Sequence, residues 1–203
     1  MTEQTPGAMG KRAARGRATR EQLIEVATRL FAENGYEDTS IEDVLAAAGV
    51  SRGALYHHFA GKDALFGAVV ESVENRVMAD LAAAAGDVPD AVDRLRVLAL
   101  TWIGMAVDPV IQRITLLDAP SVLGIEHWLD PDQQQALTAM KALLREVSED
   151  GRLAPELVDP FAAMLLGALD EMALTVARAP EPEAALPGAR AAVEELLRRV
   201  LTP

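Results

Sequence analysis

Arg52, Tyr56 and His57 are the residues in this chain whose types and spacing most plainly fit a chemistry. They fall in the run Ser51-Arg-Gly-Ala-Leu-Tyr-His-His-Phe59, in which the apolar Leu55 and Phe59 stand four apart. Four residues is about one helical turn, so Leu55 and Phe59 mark an inner face and Arg52, Tyr56 and His57 an outer one. An outward guanidinium presents a planar fork of donors that matches O6 and N7 of guanine. Tyr56 and Lys62 suit phosphate oxygens, which position a protein on a duplex without specifying sequence. Thr39 offers a hydroxyl at the start of the preceding helix, where free backbone N–H groups favour an anion. Ser40 and Gly53 complete the candidate DNA-contact set.

Other chemistries find little footing. There is no His-Glu-x-x-His, no Gly-x-Ser-x-Gly and no phosphate-binding loop. His57 and His58 are neighbours on a helix and do not share a face, so they make no metal site. Asp170 and Glu171 diverge in the same way and form no acid/base pair. The chain has no Cys, which rules out disulfides and thiolate metal sites. The expectation is a protein that is not an enzyme, with no catalytic residue, no metal and no cofactor.

The elements that must carry these residues run from Thr39 to Lys62. Thr39 is expected to cap a first helix, with Glu42 three residues on completing a capping box. Ile41, Val44, Leu45 and Ala48 recur at helical spacing. Gly49 ends that helix, because glycine enters the left-handed conformation without a Cβ penalty. Val50 plugs the corner, Ser51 caps the second helix, and Gly61 stops it. Helix, glycine turn, helix is the DNA-binding helix-turn-helix, whose second helix lies in the major groove.

From Thr19 to Phe66 the chain resembles the N-terminal domain of the TetR (tetracycline-repressor-like) family of bacterial transcription regulators. The resemblance rests on Leu30-Phe31, Asn34-Gly35-Tyr36, Thr39-Ser40-Ile41, Ala48-Gly49-Val50-Ser51, Gly53-Ala54-Leu55-Tyr56-His57-His58-Phe59, Lys62 and Leu65-Phe66. It covers about a quarter of the chain. Leu45-Ala46 and Gly61 depart from the family's usual residues at positions that tolerate the change. The resemblance implies an all-α protein that binds double-stranded operator DNA as a homodimer in the cytoplasm. It further implies a repressor released by a small apolar effector. The rival reading is a helical ligand-binding protein or enzyme that has lost DNA binding, against which the outward Arg52, Tyr56, His57 and Lys62 speak.

A net charge of -12 at first opposes DNA binding. Residues 1–62, however, hold 8 basic and 8 acidic side chains, and residues 63–203 hold 11 and 23. The excess acid lies wholly outside the candidate head, and local field governs phosphate attraction. Residues 1–18 carry Lys11, Arg12, Arg15 and Arg17 without apolar periodicity and are expected to be a disordered basic arm. Arg17 and Arg20 are its best-placed DNA contacts. The head is then expected over 19–62 and an effector-binding and dimerisation domain over 63–203. No apolar signal core opens the chain. Val97 to Val107, an apolar run of 11 residues, is too short to span a membrane.

In the body the spacing predicts a long helix from Lys62 to about Ala85, another from Pro89 to Val107, and a third after Asp108-Pro109. Further helices are expected over 131–150 and 161–177, the latter capped by Asp159, with a proline-rich loop over 179–188 and a last helix over 189–201. The helix over 161–177 is apolar nearly all round, and Ala163, Gly167 and Ala168 permit close approach, so with the last helix it should form a dimer interface. Trp102, Met105, Trp128 and Met164 are soft, bulky candidates for an effector pocket, with Asp170 or His127 as the polar contact.

Overall fold

The computed structural model describes residues 6–124 and 135–201, with side chains described from Ala14 onward. The described residues form helices and turns without a strand. They divide into two compact units, 1–72 and 73–203.

In the first unit, α1 (Pro6–Asn34), α2 (Ile41–Ala48), α3 (Arg52–His58) and the start of α4 (Lys62–Ala85) enclose one core. Leu23, Ala27 and Phe31 of α1, Val44 and Ala48 of α2, Leu55 and Phe59, and Leu65, Phe66 and Val69 of α4 are all buried. The Phe31 and Phe66 rings meet edge to face at 5.1 Å, and Tyr36 lies 4.9 Å from Phe66. This is the offset arrangement that ring quadrupoles favour. The Gln22 side-chain amide donates to the Ala48 carbonyl at 2.9 Å, which ties the open end of α2 to α1. Gly49, at φ 65°, takes the left-handed position that ends α2.

Three sequence expectations are corrected here. Residues 6–18 are helical rather than disordered, since α1 begins at Pro6. The alanines at 8, 13, 14 and 18 supply helix propensity that compensates for missing apolar periodicity. The head ends near residue 72 rather than 62, because Leu65, Phe66 and Val69 belong to its core. The α2 cap is Ser40 with Asp43, not Thr39 with Glu42. Ser40 Oγ accepts from the Asp43 N–H, and the Asp43 carboxylate accepts from the Ser40 N–H at 2.9 Å. The hydrogen bonds from Ser40 hold the Asp43 carboxyl below the usual range.

The second unit comprises the rest of α4, α5 (Ala91–Met105), a π-helix (Ile111–Asp118), α6 (Ala119–Val122), α7 (Gln135–Glu149), α8 (Val158–Ala177) and α9 (Pro182–Leu201). Asp90 caps α5 by accepting from the Val92 and Asp93 N–H groups at 2.9 Å. The helix begun by Asp108-Pro109 is of the wider π type, closed by an Ala119 N–H that bonds the Ile114 carbonyl five residues back. Gln112 donates to the Ala177 carbonyl at 2.7 Å and so closes the end of α8. α8 packs against α5, the π-helix, α7 and α9. Over residues 155–177 it is long and apolar enough to pass for a membrane span by length and composition. Here Ala162, Leu165, Leu169, Ala173 and Val176 are instead buried against those neighbours.

α8 starts at Val158, behind a short 3-10 turn at Pro155–Leu157, without the expected Asp159 side-chain cap. Asp159 pairs with Lys141 at 3.4 Å. The proline-rich segment 182–188 is the first part of α9 rather than a loop. Pro182 occupies the first helical position, where its missing N–H costs nothing. Pro187 lies inside the helix and forgoes one bond to the Glu183 carbonyl. Residues 131–134, the first of the helix expected over 131–150, and His127 fall outside the described residues.

Because Phe66 is fully buried between Phe31 and Tyr36, Phe66→Ala is expected to lower stability by about 3–5 kcal/mol, read by chemical denaturation.

Candidate nucleic-acid interface

α3 has seven residues. Its N-terminus is capped by the Ser51 side chain, which accepts from Ala54 N–H. Its inner face holds Leu55, fully buried, and it ends on Phe59, 5 % exposed. On the other side Arg52, Gly53, Tyr56 and His57 are all exposed, Tyr56 by 47 %. The structure therefore gathers four of the seven sequence-named DNA-contact residues on one open face. A Cβ added at Gly53 would meet nothing within 4 Å, so its smallness leaves room for a partner outside the chain.

Ser40 is exposed at the start of α2. Thr39 is corrected: it is 1 % exposed, and its hydroxyl donates inward to the Gly35 carbonyl at 2.8 Å, with the Leu30 carbonyl at 3.2 Å. A hydroxyl spent on the end of α1 cannot reach a phosphate. Lys62 is half-buried. Its Nζ lies 4.0 Å from the centre of the Tyr36 ring and donates to the Glu37 carbonyl at 3.3 Å. This places an ammonium at the start of α4, where the helix dipole disfavours it, and the ring and carbonyl offset that cost. Tyr36 donates to Asp63, and burial followed by this carboxylate pushes its pKa up to about 12. Arg20, from the expected arm, stands with its guanidinium carbon 5.4 Å from the Phe59 ring centre. Arg15 and Arg17 are exposed on α1.

One contact on this surface was not foreseen. The Arg52 guanidinium pairs, through Nη2, with the Glu42 carboxylate of α2. The sequence pattern places Glu42 in the helix cap, and no spacing rule within one helix gives it to Arg52.

The effector candidates are dispersed. Trp102 and Met105 lie half-buried on α5. Trp128 lies outside the described residues. Met164 is corrected: it is 61 % exposed on the outer face of α8, not lining an interior. Asp170 is exposed as a residue at the edge of the same helix, yet its carboxyl is crowded enough that burial pushes its pKa up to about 6. The Trp102 indole N–H pulls that value back, although it closes no hydrogen bond. A groove of about 450 Å³ runs between α5 and α9, lined by Leu100, Leu186, Pro187, Ala191, Arg190, Glu183 and Glu194. None of the sequence-named residues lines it.

A three-helix head with an open recognition face, joined in sequence to an all-helical body, defines the helix-turn-helix regulators as a class. The head, over residues 23–69, matches the model of bacterial regulatory proteins of the tetR family, and residues 92–200 match the tetracyclin repressor-like C-terminal domain. This chain belongs to the tetR family. A TetR-family transcriptional regulator from Pectobacterium atrosepticum is 35 % identical, superposes with a TM-score of 0.82, and is covered over 97 % of its length by 94 % of this chain. The HTH-type transcriptional regulator AcrR of Shigella flexneri is 42 % identical over 59 residues, which are 29 % of this chain and 27 % of that protein. An HTH-type transcriptional repressor of Mycobacterium tuberculosis is 44 % identical over 62 residues, 30 % of this chain and 33 % of that protein. Against these two curated relatives the likeness spans a third of their length or less.

Since Thr39 bonds inward, Thr39→Val is expected to lower stability by about 1 kcal/mol through the lost hydrogen bond, measured by denaturation. DNA affinity at a temperature where the variant is folded should be unchanged. A loss of affinity without a loss of stability would restore Thr39 to the phosphate-contacting set.

Proposed function

We propose that this chain is a transcriptional regulator that binds double-stranded operator DNA as a homodimer. The observation that carries the reading is the face of α3, on which Arg52, Gly53, Tyr56 and His57 are open while Leu55 and Phe59 bury the opposite side. Arg52 reads a guanine edge, Tyr56, His57 and Ser40 contact the backbone or adjacent bases, and Lys62 turns its remaining N–H donors to phosphate. The exposed Arg15 and Arg17 of α1 add phosphate contacts.

Homodimerisation is supported by the outer face of α8. Ala163, Met164, Gly167 and Ala168 are exposed there, and Leu196 of α9 is exposed as well. A Cβ at Gly167 would meet nothing within this chain. Small residues beside one large apolar side chain let a second helix approach closely and then fill the gap, as an interface core requires.

A repressor released by a small apolar effector is the reading of the body that its composition favours. Trp102 and Met105 are bulky apolar side chains on α5, and Asp170 is a crowded carboxylate beside Trp102. Release requires that the ligand prefer the DNA-free state, since equal affinity for both states shifts nothing.

The test is a binding assay with duplexes selected by the wild-type protein from a randomised library. Arg52→Ala is expected to lose about 1–3 kcal/mol of preference for the selected duplex over a scrambled one. Lys62→Ala should weaken both duplexes alike and flatten the salt dependence. Retained discrimination in Arg52→Ala would remove Arg52 from base readout, and no preference for any duplex by the wild type would overturn the regulator reading. Ala168→Arg, at a position exposed in the single chain, should leave the helical content intact and shift sedimentation from dimer to monomer. A wild type that sediments as a monomer at micromolar concentration would end the dimer reading.

A further inference from the structure

Glu42 lies in the first turn of α2, where its charge suits the helix dipole, but its carboxylate is no part of the cap. Ser40 and Asp43 already satisfy each other at the start of α2, so the Glu42 side chain is not needed for the cap. It reaches instead to α3 and pairs with Arg52. Arg52 is the first residue of α3, and the first turn of α3 contains no acidic residue. A cation at that end faces the positive pole of the helix dipole. Glu42 therefore supplies, from the neighbouring helix, the negative charge that α3 lacks.

The pair sits where it bears on recognition. Both side chains are well exposed, 59 % for Arg52 and 63 % for Glu42, and Arg52 shares the open face with Gly53, Tyr56 and His57. A guanidinium has five N–H donors fixed in one plane. A carboxylate on one Nη leaves the rest of the fork free, but it fixes the plane in which that fork lies. Reading a guanine takes two donors aimed together in that plane. An unheld arginine can turn its fork to a phosphate or to a different base at little cost. A held one loses less freedom at the right base and fits the wrong one poorly.

We propose that Glu42 is a positioning residue for base readout: it orients Arg52 from the neighbouring helix and so narrows the sequences this head accepts. The proposal rests on the reading that Arg52 touches a base edge, and its test separates the two. Exposed ion pairs of this kind contribute little to stability, so variants at position 42 should fold as the wild type does, checked by thermal unfolding.

Glu42→Ala, Glu42→Gln, Arg52→Ala and the double variant Glu42→Ala/Arg52→Ala, all in the full chain, are compared on two probes across a range of salt. One probe is a duplex selected by the wild type from a randomised library, the other its scrambled counterpart. Removing Glu42 takes a negative charge from the DNA face, so affinity for the scrambled duplex should rise. Discrimination between the duplexes should nevertheless fall about fivefold or more, within the range of couplings between contacting residues. Glu42→Gln, which keeps an acceptor oxygen, should recover part of the discrimination while keeping the raised affinity for the scrambled duplex. The double variant should discriminate no worse than Arg52→Ala alone. If Glu42→Ala discriminates as well as the wild type while Arg52→Ala does not, or if the two losses simply add, Glu42 does not act through Arg52. If Arg52→Ala itself discriminates like the wild type, the base contact fails and the role of Glu42 fails with it.

Discussion

A helix of seven residues does not hold its shape in water, because nucleation costs more than so few backbone bonds return. α3 is such a helix, and it is the element on which recognition depends. What holds it is burial of Leu55 and Phe59 in the core of the head, where α3 packs on α1, with the Ser51 cap at one end. The rest of the head serves that constraint. Phe31, Tyr36 and Phe66 lock α1 to α4, and Gln22 closes the end of α2. The exposed side chains of α3 are placed only as firmly as this small core is packed.

The same dependence explains which sequence features were legible. Period and punctuation fixed the faces of α2 and α3, because a four-residue spacing of large apolar groups allows only one inner side. Gly53 and His57 then had to be outside, whereas Arg52, seven residues before Phe59, lies near the inner stripe by spacing and is shown to be exposed only by the structure. The cap of α2 was ambiguous by one residue, since Thr39 with Glu42 and Ser40 with Asp43 satisfy the same pattern. The choice was made by a longer-range contact, the hydroxyl of Thr39 turning in to the Gly35 carbonyl. That single shift also released Glu42 to Arg52, a partnership between helices that spacing within either one does not show.

Elsewhere the sequence misled where local signals were offset by their neighbours. Three prolines over 180–187 read as a loop, yet Pro182 is at home in a first helical turn, and Pro187 costs one backbone bond in a helix anchored by Ala189, Val193, Leu197 and Leu201. Residues 6–18 lack an apolar stripe, but their alanines sustain a continuation of α1. The all-round apolarity of α8 was legible as a demand for neighbours on every side. Burial then divided its side chains, with Leu165, Leu169 and Ala173 inside and Met164 out, which a nearly uniform apolar helix does not announce.

The division near residue 72 also divides the charge. Counted by unit, residues 1–72 hold 8 basic and 10 acidic side chains, a net of -2, and residues 73–203 hold 11 and 21, a net of -10. Near a polyanion the two units therefore feel repulsions of different size, that on the body being the larger. The acid that dominates the net charge weighs on the part of the chain that carries no recognition helix. Its influence belongs to the kinetics of association, and it fades as salt shortens the screening length to about 8 Å under physiological conditions.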